Sequence, residues 1–166
     1  RVLPLVHTGR LGLLIDFDGT ISAITPTPQE ANVSPGAAES LRRLVSKVVL
    51  VSVMSGRAAR EVREQVGLAR VVYVGNHGFE YLDGDRLRVA PGFDRHRDKV
   101  KRVFDTLKAS VQMPGLLWLD KHYSLTVHYR LAKDPSEARR VLARALESAP
   151  GVDGVEVVRG KMVLDI

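Results

Sequence analysis

Three apolar segments of strand length, each ending abruptly in a polar cluster, most constrain the fold of this chain. Leu11 to Phe17 runs into Asp16-Phe17-Asp18-Gly19-Thr20, Val48 to Met54 into Ser55-Gly56-Arg57, and Val71 to Val74 into Gly75-Asn76-His77-Gly78. The first two read as buried strands, the second rich in β-branched residues. The connections between them are long enough for helices. After the loop Thr25-Pro26-Thr27-Pro28, Ser34-Pro35 has the form of an N-cap followed by proline at the first helical position. That helix runs to about Ser46, with Ala37, Leu41, Leu44 and Val45 on one face. A second runs from about Ala58 to Val66, with Gly67 as its stop. The order β-α-β-α-β predicts a parallel sheet with helices on its faces. Ligands of such a sheet lie beyond the carboxyl ends of the strands, where all three polar clusters fall.

The pattern changes after this. Phe79–Leu82 and Arg86–Val89 flank Asp83-Gly84, which predicts a hairpin. Beyond Pro91-Gly92, Phe93 to about Val111 reads as a charged helix. Leu116–Leu119 and Ser124–Tyr129 read as strands joined near Lys121-His122. Pro135–Ser148 reads as a helix stopped at Pro150-Gly151, and Val155–Val158 with Met162–Ile166 as a hairpin around Gly160-Lys161. This α-β-β-α-β-β order predicts an α+β module with a largely antiparallel sheet. The expected division is therefore a parallel-sheet core over 1–90 and an α+β module over 91–166.

Composition removes several alternatives. There are no cysteines among the 166 residues, so disulfides and thiolate-bound zinc are excluded. The longest apolar run is a strand-sized piece, far short of a membrane span. The formal net charge is +6, which suits an anionic partner. The basic residues, such as Arg57, Arg60 and Arg63 or Arg139, Arg140 and Arg144, are scattered at helical spacing and read as solvated helix faces. Aromatic residues are too few for a base-stacking platform, so neither nucleic acid nor membrane is an expected partner.

Alternation along a strand puts Asp16 and Asp18 on one side. Two carboxylates there repel unless a cation or a shared proton separates them. The pair therefore suits a divalent metal, an acid–base couple, or a nucleophile beside an acid. A calcium loop is disfavoured, because Thr20 and Ile21 stand where that pattern needs an acid or amide and then glycine. Ser55 equally suits a helix cap, and Asn76 and His77 equally suit a tight turn. His128 lies in alternating, strand-like text and is more often packed than catalytic.

Asp16-Phe17-Asp18-Gly19-Thr20 resembles the first motif of the haloacid dehalogenase superfamily of phosphotransferases, and Ser55 matches its second. The wider text resembles the trehalose-6-phosphate phosphatases more closely. It comprises Val53-Met54-Ser55-Gly56-Arg57, Gly75-Asn76-His77-Gly78-Phe79-Glu80, Lys121 with Ser124–Arg130, and Gly160–Ile166. The resemblance implies an α/β fold: a HAD-like Rossmannoid parallel-sheet core with an inserted α+β cap. It implies Asp16 as nucleophile, forming an aspartyl-phosphate, and Asp18 as general acid and then base. The cofactor would be Mg2+, held by the Asp16 side chain and the Asp18 main-chain carbonyl. Gly19, Thr20, Ser55 and Gly56 would bind phosphate. Arg57, Asn76, His77, Lys121, His128, Arg130, Lys161 and Asp165 would bind the sugar phosphate.

The implied activity is hydrolysis of trehalose 6-phosphate by a cytoplasmic, monomeric enzyme. Another sugar phosphate, such as sucrose phosphate or mannosyl-phosphoglycerate, is the alternative substrate, and a non-catalytic sugar-phosphate-binding domain the alternative class. Two positions depart from the family: Leu119 and Asp165 stand where glutamate is usual. The superfamily also uses a phosphate-binding lysine and a later acidic motif, and no Gly-Asp-Asp sequence follows before Ile166. The resemblance thus implies that the C-terminal part of the core is missing from this chain. The expectation is that these 166 residues alone bind magnesium poorly and turn over little.

Overall fold

The computed structural model describes residues 11–92, 94–121 and 124–166. The predicted helix start at Phe93 and part of the predicted turn at Lys121-His122 lie outside them. The chain divides between Ala90 and Pro91 into two compact units.

Among the described residues, the first unit is built on five strands: β1 (Gly12–Asp16), β2 (Leu50–Met54), β3 (Val72–Gly75), β4 (Glu80–Asp83) and β5 (Arg86–Val89). They lie in the order β1-β2-β3-β4-β5. β1, β2 and β3 are parallel, and the β4–β5 hairpin extends the sheet antiparallel. Helix α1 (Pro35–Leu44) connects β1 to β2, and α2 (Ala59–Val66) connects β2 to β3. Ser34 caps α1 by accepting from the Ala37 amide at 3.4 Å, and Gly67 ends α2 in the left-handed region. Register places Ile15 beside Val53, Val53 beside Tyr73 and Tyr73 beside Leu82 on one face of the sheet. Phe17, Leu41 of α1 and Val62 and Val66 of α2 join them in one buried cluster.

Burial of β1 differs from the sequence expectation. Leu14 is 67% exposed, and Leu50, Met54 and Tyr81 on the same face are also exposed. A continuous apolar run predicts a strand covered on both faces. Among the described residues, β1 is an edge strand paired only with β2, and the apolar residues of both helices join the cluster on the other face.

The second unit contains α3 (Asp94–Ser110), β6 (Leu117–Asp120), β7 (Leu125–His128), α4 (Pro135–Glu147), β8 (Val158–Gly160) and β9 (Val163–Asp165). Its sheet has the order β6-β7-β9-β8, antiparallel throughout. Asp134 caps α4, its Oδ1 accepting from the amides of Ser136 and Glu137 at 2.9 and 3.0 Å. Val127 and Leu164 pair on the face that packs with Val103, Phe104 and Leu107 of α3 and Leu142 and Leu146 of α4. Phe104 meets Trp118 edge-on at 5.3 Å. Alternation leaves Thr126, His128 and Asp165 on the opposite face. The strand predicted over Val155–Val158 begins only at Val158. Val152–Gly154 forms a single 3-10 turn instead, and the register Val158↔Asp165 exhausts the three residues of β9.

Candidate active site

The three polar clusters meet as hydrogen-bonded neighbours at the carboxyl ends of β1, β2 and β3. Asp16 is the last residue of β1, its carboxylate exposed and accepting from the Thr20 hydroxyl at 3.1 Å. Phe17 is wholly buried, so the core anchors the chain between the two acids. Gly19 then turns the loop at φ +87°, a left-handed conformation that a side chain would strain. Asp18 emerges beyond Phe17 and faces the end of β2. Ser55 Oγ donates to its Oδ2 at 3.0 Å, and Arg57 grips both of its oxygens, with Nη2 at 2.9 Å from Oδ1 and Nε at 3.1 Å from each.

Arg57 was expected to bind substrate; the structure gives it a fuller local role. It is 7% exposed, and its guanidinium lies 5.4 Å from the centre of the Phe17 ring. Its Nη1 donates to the Pro28 carbonyl at 2.6 Å and to Glu61 at 2.7 Å. Burial alone would lower the proton affinity of the guanidinium. Hydrogen bonds to Asp18 and Glu61, with their charge, outweigh it and hold Arg57 above the ordinary arginine value. Ser55 does not cap α2: its hydroxyl accepts from the Arg57 amide at 3.1 Å while donating to Asp18. The cap comes from Glu80, buried on β4, whose Oε1 accepts from the Ala59 amide at 2.6 Å.

Asn76 and His77 brace this loop from the end of β3. Both hold left-handed backbone angles, φ 47° and 58°, costing of order 1–3 kcal/mol each. The Asn76 amide donates to the Arg57 carbonyl at 2.7 Å and the His77 amide to the Ser55 carbonyl at 3.3 Å. Gly56 leaves room for the His77 ring: a Cβ there would sit 2.6 Å from its Cε1. Gly75 lies tighter still, since a Cβ on it would fall on the Ala59 amide and 2.7 Å from the Arg57 carbonyl.

In the second unit, Asp165 is the centre of a separate buried cluster. Its Oδ1 accepts from the Thr126 hydroxyl and from Lys121 Nζ at 3.4 Å. Leu119 pairs with Thr126 across β6 and β7. Arg130 Nη2 donates to the Lys161 carbonyl at 3.3 Å, next to the turn in which Met162 takes φ 61°. His128 is half-buried on β7, opposite Leu117 and Val163.

Sequence reasoning missed Glu61, Glu80 and Thr126. Glu61 was legible as the i,i+4 partner of Arg57, and Thr126 as the residue that alternation turns away from Val127. Glu80 closed the quoted Gly75–Glu80 text, but its contact with Ala59 spans 21 residues.

The family model described as trehalose-phosphatase matches residues 14–166. A trehalose-phosphate phosphatase of Mycobacterium tuberculosis is 30% identical over 162 residues, covering 93% of this chain and 39% of that protein. An uncharacterized glycosyl hydrolase of the same species is 32% identical over 171 residues, covering 99% of this chain and 12% of that protein. The solved C-terminal domain of C. albicans trehalose-6-phosphate phosphatase superposes with TM-score 0.79 at 26% identity, covering 98% of this chain and 60% of that one. This chain thus spans about two-fifths of the length of the curated phosphatases it matches. With the family model running from inside β1 to the last residue, the chain belongs to the trehalose-phosphatase family of the haloacid dehalogenase superfamily.

Proposed function

We propose that the protein to which this chain belongs hydrolyses trehalose 6-phosphate through an aspartyl-phosphate on Asp16. The observation that carries this reading is the direct bonding of Asp18 to Ser55 and Arg57, 37 and 39 residues away, beside an exposed Asp16. Asp16 attacks phosphorus with a carboxylate oxygen, and the phosphorus–oxygen bond to the sugar breaks. Asp18 acts as the acid once substrate draws it away from Ser55 and Arg57 and it takes up a proton from water, which it then gives to the departing sugar oxygen. Water then attacks phosphorus, Asp18 takes the proton from it, and the bond to Asp16 breaks to release phosphate. Gly19, Thr20 and Gly56 shape the loops that face the phosphoryl group, and Ser55, whose hydroxyl donates to Asp18 before substrate arrives, would turn that hydroxyl to the phosphoryl group. Arg57 orients Asp18, and Asn76 and His77 hold the loop that carries Ser55.

Magnesium is part of the proposal. Among the described residues no group of three acidic, histidine or cysteine side chains gathers as a metal site. The Asp18 carboxylate is engaged by Ser55 and Arg57, so its contribution would be the main-chain carbonyl, beside the exposed Asp16 carboxylate. Two oxygen ligands suit a cation that keeps several waters and shares the substrate phosphate. When bound, it would lower the repulsion between Asp16 and that phosphate. Lys121, His128, Arg130, Lys161 and Asp165 form the proposed sugar-reading set. An apolar Leu119 opposite Thr126 favours testing sucrose 6-phosphate beside trehalose 6-phosphate. Among the described residues no helix is long and apolar enough to cross a membrane. A cytoplasmic monomer acting on a small molecule completes the reading.

The test is phosphate release by the full-length protein from a panel of sugar phosphates, with and without magnesium. Asp16→Asn should lower turnover by at least about a thousandfold. Undiminished release by that variant ends the reading.

A further inference from the structure

The helix-covered side of the second unit carries a cavity of about 410 Å3 between α4 and the β8–β9 edge. Arg139 and Arg140 of α4 and Arg159 of β8 line it, over a floor that includes Tyr129, Leu142 and Leu164. Register explains why three arginines line one cavity. Arg159 pairs with Leu164, so it projects on the core face, towards α4. Ala143, one turn beyond Arg139, is small and leaves the space open. Arg140 is ion-paired with Glu137. Among the described residues, Arg139 and Arg159 have no acidic partner. Positive charge gathered in a concave, partly apolar surface repels itself and focuses field on an anion. Guanidinium forks match phosphate oxygens, and the volume suits a small organic ligand, typically ~300–1,000 Å3.

We propose that this groove binds an organic phosphate, a monoester whose charged end meets Arg139 and Arg159 and whose carbon skeleton lies over Tyr129 and Leu142. The site is distinct from the Lys121–Thr126–Asp165 cluster, because Thr126 and Asp165 stand on the opposite face of the same sheet. It does not depend on the hydrolase reading. Helical spacing alone made Arg139 and Arg140 a solvated ridge; only the sheet register brings Arg159 across to them.

The test is calorimetric and NMR titration of the full-length protein with glucose 6-phosphate, inorganic phosphate and glucose. Glucose 6-phosphate should bind and shift the Arg139 and Arg159 side-chain resonances, inorganic phosphate should bind more weakly, and glucose should not bind. Arg139→Gln and Arg159→Gln should each weaken binding about tenfold. Ala143→Leu should block it sterically with the charges intact. Arg144→Gln, which removes the same charge just outside the groove, should change it less than twofold. Equal losses for Arg144→Gln and Arg159→Gln would reduce the effect to general charge and overturn the site. So would binding that Lys121→Gln abolishes and Arg159→Gln leaves intact, or inorganic phosphate binding as tightly as the ester.

Discussion

The two units hold their buried charges in different ways. In the first, Asp18, Ser55 and Arg57 sit on loops beyond the ends of parallel strands, and the third strand end braces those loops. In the second, Thr126 and Asp165 sit within antiparallel strands, directly opposite each other. A parallel sheet converges at its ends, so its site is made of short contiguous motifs. An antiparallel sheet offers a flat face, so its site is made of single residues at alternate positions. The first kind is easy to read in a sequence and depends on tight loops. The second is hard to read and rests on the sheet itself.

The largest effects should come from the glycines that let backbones touch. In the first unit, a Cβ on Gly75 would fall on the Ala59 amide. In the second, Gly115 has φ +85° and a Cβ there would fall on the Leu131 carbonyl. Gly75→Ala and Gly115→Ala should each cost at least ~4 kcal/mol. Amide exchange tells them apart: Gly75→Ala should expose β2, β3 and α2 while α4 and β7 stay protected, and Gly115→Ala the reverse. Uniform loss of protection in either variant breaks the comparison.

Next in size is Arg57→Ala. It strands Asp18 and Glu61 and frees the Pro28 carbonyl. Removing one partner of a buried pair costs about 3–5 kcal/mol. Here Asp18 and Glu61 are over a third exposed, which brings the expectation to about 3 kcal/mol in urea unfolding. Arg57→Lys should recover less than half of that, because an ammonium cannot bridge Asp18, Pro28 and Glu61 at once. Full recovery by lysine shows that charge alone matters, not the planar fork.

Legibility followed the same division. Strand and helix order was readable throughout, because apolar periodicity and Pro/Gly punctuation agree along the chain. Asp16, Asp18, Ser55 and Arg57 stood out as text at strand ends. Their mutual bonding did not, since sequence carries no signal for an arginine turning back to an acid 39 residues earlier. Leu14 misled because its apolar run describes a strand covered on both sides. Val155–Val158 misled because alternation cannot show that β9 is only three residues long. Lys121 and Asp165 required family resemblance, as no spacing rule links a position just beyond β6 to one on β9; alternation turned Thr126 away from Val127, but only register set it opposite Asp165.

In the second unit, Asp165→Asn should cost about 2 kcal/mol. Asp165 and Lys121 are both largely buried, so the change removes one negative charge from beside a buried ammonium. The double variant Asp165→Asn with Lys121→Met should regain part of the loss, since both charges are then gone. Thermal unfolding of the four species forms a double-mutant cycle. Additive losses would mean that Lys121 and Asp165 do not couple, and the buried pair would not be the feature that sets the second unit apart.

The smallest effect tests the core behind the first site. Tyr73 is 1% exposed. Its hydroxyl donates to the Leu68 carbonyl at 2.6 Å and accepts from the Leu68 amide at 3.2 Å. Burial raises its proton affinity above the ordinary tyrosine value, against the opposing pull of its bond to Leu68 and of Arg63. A group raised on folding contributes stability that is fully present below its unfolded value, about 10, and is lost as pH climbs through the folded one. Tyr73→Phe should cost about 1 kcal/mol at pH 8, where only the hydrogen bonds are lost. Above pH 10 the parent loses stability to tyrosinate formation and the variant does not, so the gap between their urea midpoints should close. Parallel midpoint curves from pH 8 to 11 would mean that Tyr73 ionises as freely in the folded chain as in the unfolded one, and that the core at the amino end of β3 is wetter than its packing implies.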